Sequence, residues 1–440
     1  MEEADRISSL PQDVIVAILS RLPLKDAIRT SALARSWRHL WTFRSRLRLG
    51  NYPYLDRLGD TSDIYSNDPV ASSWIDRVHH VVSSLRGPLL HFELSHNFSS
   101  HQFALLQRLL DLLLLKGSLE SLLLFCLLER GVINLPSFHS LKKLELRRCR
   151  IVLPADFQGL DRLSSLTLRN IQISNDDLHL LIHLSNNLTT FKAMFFRSLG
   201  DQLVSIKLSL PFLRYLAFGL CRFVEKVEVV SAPCLKQAKI RNFMFNNFQK
   251  FASMNLELLT STAVTVSYLN LNFSVLKCLS LAALPLNLTF PRVRKLKLAP
   301  CIRAMNNRTY DAFIWLLRSM FFLEKLTLKV SDNASNTNWV DVRMVELFSM
   351  THDGISCLDK TLKSVKIDME DLNGVMTGMT LVRFFMLNAR ALKLIKVAYW
   401  LGSEVEPNMI EELQKAKATT SSKANVVIIR QKENVTVNVI

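Results

Sequence analysis

The chain has 440 residues, a formal net charge of +17, 49% apolar residues and 21% charged residues. That balance excludes wholesale disorder, and the length accommodates two or three units or one extended array. The acidic start (Glu2, Glu3, Asp5) lacks the apolar stretch of a secretory signal, and the apolar run 105–128 is interrupted by Arg108, Asp111, Lys116 and Glu120, which are costly inside a bilayer.

Three short amphipathic patterns open the chain. Ser9-Leu10-Pro11-Gln12 fits a capping box with a proline in the first turn. Val14, Ile15, Ile18, Leu19 and Leu22 follow at helical spacing and predict one apolar face, which Pro23 ends. A second pattern runs from Lys25 to about Thr30, with Ile28 as its apolar residue. A third carries Leu33, Trp37, Leu40 and Trp41, again on one helical face. Forty residues cannot bury so many apolar side chains alone, so some are expected to serve a partner. One of Trp37 and Trp41 is expected to hold the three helices together.

These residues, from Asp5-Arg6-Ile7-Ser8-Ser9-Leu10-Pro11 through Ile18-Leu19-Ser20-Arg21-Leu22-Pro23 and Arg29-Thr30-Ser31 to Trp37-Arg38-His39-Leu40-Trp41, resemble a plant-type F-box. The resemblance implies docking onto a Skp-type adaptor and through it onto a cullin-based ubiquitin ligase. It implies adaptor contact through Leu10, Pro11, Val14, Ile15, Ile18, Leu19, Leu22, Pro23, Ile28, Trp37 and Leu40. Ala34-Arg35-Ser36 departs from the family pattern, since Ser36 stands where a second basic residue is usual.

Past residue 85 the pattern apolar-x-x-apolar-x-apolar recurs. Seven clear copies begin at Leu119, Leu141, Leu163, Leu213, Leu276, Val293 and Leu323. Weaker copies begin at Leu89, Leu188, Leu203, Val224, Leu235, Leu362 and Leu392. The starts at 119, 141, 163, 188, 213 and 235 lie 22 to 25 residues apart, within the leucine-rich-repeat range. The last two apolar positions of each copy alternate as in a strand, and stacked copies share one core that a single copy lacks. Crossover helices are expected between strands. Ser174 caps one that carries Leu178, Leu180, Leu181 and Leu184, and longer ones are expected at Tyr310–Met320 and Val340–Met350. Leu141 to Leu184 is similar to the plant leucine-rich repeats that follow such an F-box.

Near the C-terminus, Leu362-Lys363-Ser364-Val365-Lys366-Ile367, Leu381 to Leu392 and Ile395-Lys396-Val397 resemble the FBD module of plant F-box proteins, read as strand, loop, helix, strand. Ala416 to Lys423 is expected to be a flexible link to a last strand at Val426–Ile429. The expected fold is therefore α/β: a three-helix F-box (5–48), a connecting segment (49–85), a leucine-rich-repeat solenoid with a parallel sheet and crossover helices (86–350), and an FBD-like αβ cap (355–430).

No phosphate-binding, zincin or nucleophile-elbow motif is present, and 12 glycines leave little for phosphate-cradling loops. Seven cysteines, odd in number and without a C-x-x-C pair, read as reduced thiols and not as a zinc site. No cofactor, metal or catalytic residue is expected, and the chain reads as a non-enzymatic receptor in the cytoplasm or nucleus. Lys143, Lys295, Lys297 and Lys325 lie beside or between inward-facing repeat positions, so the pleat turns them outward. They are candidate contacts for an acidic target. The alternative is a repeat scaffold without ligase coupling that takes an acidic or nucleic-acid partner.

Overall fold

The computed structural model describes residues 7, 9–50, 71–96, 98, 102–126, 132–198, 204–220, 224–242, 251–285, 287–301, 307–330, 354–369, 372–399, 406–420, 422–430 and 435–439. Contacts divide the chain into a first unit (1–206, 210–213, 223–225) and a second (207–209, 214–222, 226–440).

The first unit opens with α1 (Gln12–Leu19) and α2 (Leu24–Arg29). The residue that precedes α1 is Pro11, which has no side-chain cap bond, and the Pro11 carbonyl accepts from the N–H of Val14 and Ile15 at 3.0 and 3.1 Å. Pro23 starts α2 in the same way, because its fixed φ leads the chain into a first turn. The third helix is replaced by three 3-10 turns, Thr30–Ala32, Arg35–Trp37 and Leu40–Phe43. Ala34 is extended (φ −152°, ψ 153°) and breaks the helical path, while the Ser31 hydroxyl bridges the break by donating to the Arg38 carbonyl at 3.1 Å.

The chain then enters a sheet earlier than its spacing predicts. β1 (Arg46–Gly50) pairs in parallel with β2 (His91–His96). From β2 the ladder continues to β3 (Ser121–Cys126), β5 (Lys143–Arg147), β7 (Ser165–Ile173) and β8 (Thr190–Ser198), all parallel. The short strands β4 (Val132–Asn134) and β6 (Arg150–Val152) pair beside them. Register aligns the predicted repeat positions: Leu47, Phe92, Leu122, Leu144, Leu166 and Phe191 form one inward row, at most 1% exposed. Each such side chain contributes about 1.5–3 kcal/mol on burial. Helices α3 (Ala71–Ser84) and α4 (Gln102–Lys116) pack on each other. α3 falls in the stretch read as a connector. α5 (Asn175–His183) is capped as expected, Ser174 Oγ accepting from the Asp177 N–H at 3.0 Å, but its inner face is Leu178, Leu181 and Ile182, with Leu180 turned out.

Three successive repeats kink at one register. Arg148, Asn170 and Phe195 have φ of 55°, 57° and 58°. Asn170 and Phe195 are skipped in the pairing of β7 with β8, which resumes at Ile171 and Phe196. An L-residue takes this left-handed conformation at a cost of about 1–2 kcal/mol, least for asparagine. The kink re-aims the chain so that Ile151, Ile171 and Ile173 return to the core.

The second unit repeats the scheme with longer crossovers. β10 (Tyr215–Leu220), β12 (Gln237–Asn242), β13 (Tyr268–Leu271), β14 (Lys295–Cys301), β15 (Lys325–Val330), β16 (Ser364–Met369), β17 (Leu394–Tyr399) and β18 (Asn425–Arg430) form a parallel ladder in that order. β19 (Val435–Val439) adds antiparallel to β18. The copy expected at Leu276 is not a strand: Phe273–Leu279 is helix α7, burying Val275, Leu276, Cys278 and Leu279 at helical spacing. The strand of that repeat is β13, anchored at Val266. Ile206 and Leu208 of the copy expected at Leu203 lie on β9 (Val204–Ser209), and the copy at Val224 lies on β11 (Val224–Ser231), a two-stranded sheet of their own; Leu203 itself lies outside the described residues. Helices α6 (Ala252–Thr262) and α8 (Asn307–Arg318) flank α7, and α8 takes the place of the expected Tyr310–Met320 helix, starting three residues earlier and ending at Arg318. The helix expected at 340–350 lies outside the described residues. In the C-terminal part α9 (Leu372–Asn388) packs on α10 (Glu406–Thr419) and on β16. Ala416 to Thr419 thus belong to a helix and not to a link.

The helices α3 and α4 enclose one buried imidazole. The His96 ring stacks on Trp74 with centroids 4.1 Å apart and meets the Phe98 ring edge-on at 5.1 Å. Burial pushes its pKa from 6.5 down to about 4, and neither ring nitrogen has a hydrogen-bond partner among the described residues. The folded state therefore holds His96 neutral, while the unfolded chain takes up a proton near pH 6.5. Stability from this site is complete above that pH and falls as pH drops towards 4. His96→Leu is expected to flatten the acid side of a melting-temperature profile over that window, and an unchanged slope would refute the assignment. In the sheet, Leu166→Asp places a charge in a fully buried row with no partner, which costs several kcal/mol. Thermal unfolding should show a large fall in melting temperature; a parent-like melt would mean that the register is wrong.

Candidate functional site

The structure divides the residues expected at the adaptor surface into two sets. Ile15, Leu19, Trp37 and Leu40 are buried, and with Ala27 they form the core of the N-terminal helices. These four correct the expectation of contact. Ile15 and Leu19 sit four residues apart on the inner side of α1, and Trp37 and Leu40 come in from the 3-10 turns to meet them. Trp37, at 5% exposure, is the core tryptophan, while Trp41 is half-buried against the same cluster. Leu22 is also half-buried there.

Val14 and Ile18 make the other stripe of α1. One residue back from the inner pair, they are rotated by about 100° to solvent and are 39% and 41% exposed. Leu10, Pro11, Pro23 and Ile28 are exposed as well. The pattern of apolar spacing missed two members of this surface, Ile7 and Leu33, which are 59% and 73% exposed. Leu33 was assigned to a helix face that does not exist, since the chain there is in separate 3-10 turns. Apolar side chains exposed together mark an interaction surface.

Arg44 ties this helical segment to the sheet. β1 pairs with β2 so that residue 44 stands where Leu89 anchors the next repeat. A buried guanidinium takes the place of a leucine. Its Nε donates to the Arg46 carbonyl at 2.8 Å, and its Nη2 donates to the Leu22 carbonyl at 2.8 Å, with the Ser20 carbonyl at 3.5 Å. Burial pushes the Arg44 pKa down from its ordinary value. Beside it a cleft of about 580 Å³ is lined by Ser20, Arg21, Pro23, Arg48, Glu93 and neighbours.

The four candidate lysines all face outward, but they fall into two settings. Lys143, in the first unit, borders an open groove of about 480 Å³ with Arg46, Arg48, His91, Glu93, Glu120 and Lys142. Charges on this face are largely paired: Arg48 to Glu93 at 2.9 Å, Lys142 to Glu120 at 2.7 Å and Arg147 to Glu145 at 2.6 Å, with Lys143 3.9 Å from Glu145. The Lys142 ammonium also holds the Glu120 carboxyl below its ordinary pKa. Lys295, Lys297 and Lys325 lie in the second unit. Register sets Lys295 directly beside Lys325, with Lys297 beside Thr327 and Asn270. The structure thus brings three of the four together.

Comparison with known proteins decides what the two regions are. Residues 7–49 match the F-box domain, 106–256 match the LRR repeats of FBD-associated F-box protein At5g56370, and 352–396 match the FBD. The chain carries an F-box, leucine-rich repeats and an FBD. Among curated relatives, F-box/FBD/LRR-repeat protein At1g13570 of Arabidopsis thaliana is 32% identical over 222 residues, covering 49% of this chain and 49% of the relative. F-box protein At5g03100 of the same plant is 29% identical over 48% of this chain and 69% of the relative. F-box/FBD/LRR-repeat protein At3g14710 is 29% identical over 49% of this chain and 47% of the relative. Two of these three matches span about half the length of the relative. The F-box includes β1, so its last strand is the first strand of the repeat ladder.

Arg44→Met is expected to weaken this junction by about 2 kcal/mol, since hydrogen bonds from a charged group are at stake. Arg44→Lys should not restore it, because one ammonium lacks the planar fork that serves two separate carbonyls. Hydrogen exchange of residues 12–43 is the measurement. Parent-like protection in Arg44→Met would show that the guanidinium is not the tie.

Proposed function

We propose that this F-box protein is a non-catalytic substrate-recognition subunit of a Skp–cullin–F-box ubiquitin ligase. The F-box would seat a Skp-type adaptor, and the repeats would hold a target protein. The observation that carries this reading is the exposed stripe of Leu10, Val14, Ile18 and Ile28, with Ile7 and Leu33, on helices whose core is already complete without it. Such a surface has nothing to cover it among the described residues of its own fold, and the F-box match supplies the class of partner. The chain would act by proximity, raising the effective concentration of a target near a charged ubiquitin carrier. Work in the cytoplasm or nucleus fits this role.

Val14→Asp together with Ile18→Asp puts two charges into the centre of the stripe without touching Ile15 or Leu19. Loss of an interface anchor typically costs about 2 kcal/mol or more, so adaptor capture in a co-purification assay should fall by roughly thirtyfold. Circular dichroism should be unchanged, because both side chains are exposed in the free chain. Undiminished capture by the double variant would refute the docking surface, and with it the ligase reading.

A further inference from the structure

The outer face of the second unit's sheet carries a run of like charge that its own fold does not explain. On β14 to β17, Lys295, Lys297, Lys325 and Lys396 project outward, and Lys363 and Lys393 stand exposed just before their strands. None of these six forms an ion pair among the described residues. Lys295 and Lys325 are register neighbours, and so are Lys366 and Lys396. Like charges directly opposite one another on a sheet destabilise it. Lys366 is offset locally by Asp368 at 2.6 Å, and at the entry of β15 Glu324 is taken up by Arg294 at 2.8 Å. The first unit's outer face shows the other solution, with its charges matched by carboxylates on the same or the adjacent strand.

We infer that this face is a docking surface for an extended, Asp/Glu-rich polypeptide segment, and that the FBD supplies half of it through Lys363, Lys366, Lys393 and Lys396. All four fall within the FBD match at 352–396. The chemistry of the face selects this occupant. The four strands are spaced by about 4.8 Å, so the lysines spread over roughly 14 Å. An extended peptide lying across them presents side chains on one side every ~6.7 Å and can meet several of them at once. A single phosphate concentrates its charge at one point, whereas these lysines do not converge on one. Nucleic acid would be served by aromatic platforms between the cations, and the outward positions of β14 to β17 hold none: besides lysine they are Ala299, Thr327, Ser364, Asp368, Leu394 and Ala398. The run ends at β18, whose outward positions are Asn425, Val427 and Ile429.

The inference deepens the proposed receptor role by naming the class of target segment, yet it is tested without the adaptor. The purified full chain is titrated into fluorescein-labelled peptides, one rich in Asp and Glu, one with Asn and Gln in their place, and one with a single phosphoserine in a neutral sequence. A single-stranded oligonucleotide of matching charge is the fourth probe. The acidic peptide should bind most tightly and weaken as salt rises, and the neutral peptide should not bind. Lys393→Glu with Lys396→Glu should lower that affinity at least about tenfold, as expected where complementary charge is reversed. Lys393→Gln with Lys396→Gln should give a smaller loss and keeps the test decisive if the reversed variant misfolds. Equal binding by the neutralised variant and the parent would overturn the FBD's part. Tighter binding of the phosphoserine peptide or the oligonucleotide would overturn the occupant. Adaptor capture by the same lysine variants should match the parent, so failure of the docking reading and failure of this one are separable.

Discussion

At the entry of most strands of the two parallel ladders, one carbonyl oxygen accepts two backbone N–H groups from the next turn of the chain. The Glu120 carbonyl takes Lys142 and Lys143 at 2.8 and 2.9 Å, the Lys142 carbonyl takes Ser164 and Ser165, and the Ser164 carbonyl takes Thr189 and Thr190. In the second unit Ser267, Arg294, Glu324 and Lys363 do the same. This fork sets the register of each parallel pair before any side chain is considered. A slip of one residue would turn every inward leucine to solvent, so the alignment of Leu144 with Leu166 and of Leu296 with Leu326 rests on it. The outward rows are aligned by the same constraint. Lysines on successive strands become neighbours because the leucines beside them do.

The repeat strands were legible because their apolar spacing is a direct image of this geometry. Leu122 and Leu124, Leu326 and Leu328, and Ile395 and Val397 are all buried where the pattern places them. It misled at Leu276, where a helix with buried positions at 275, 276, 278 and 279 also contains the strand motif, and β13 was passed over although Val266, Leu269 and Leu271 satisfy it. β1 was invisible for a different reason. Its anchor is Arg44, and a pattern of apolar residues cannot register a guanidinium whose hydrogen bonds to carbonyls make burial tolerable. The lysine face was half legible: Lys295, Lys297 and Lys325 were readable from their place beside repeat leucines, and Lys366 and Lys396 hold the same place on the FBD strands.

In the N-terminal helices, spacing marked which residues are apolar but not which stripe of α1 faces in. Ile15 and Leu19 share an i, i+4 relation with one another, and so do Val14 and Ile18. The choice between the two stripes is made by the partners across the core, Ala27, Trp37 and Leu40, and these are brought together only by the 3-10 turns. The break at Ala34 decides the same question for Leu33, which leaves the core entirely. Local pattern thus sets the inventory of a docking surface, while tertiary packing sets its membership.

The pairing of β1 with β2 has a mechanical consequence. A recognition module joined by a tether samples distances set by chain statistics, and its reach changes with tether length. Here the F-box ends as a strand hydrogen-bonded to the first repeat, and Arg44 clamps the turn between its two helices to that strand. Its offset from β2 is therefore a strand spacing, roughly 5 Å. The first repeats and the F-box behave as one lever arm. Whatever seats on α1 keeps a constant bearing on whatever the first repeats hold, and inserting residues after Gly50 would lengthen the chain without lengthening that arm.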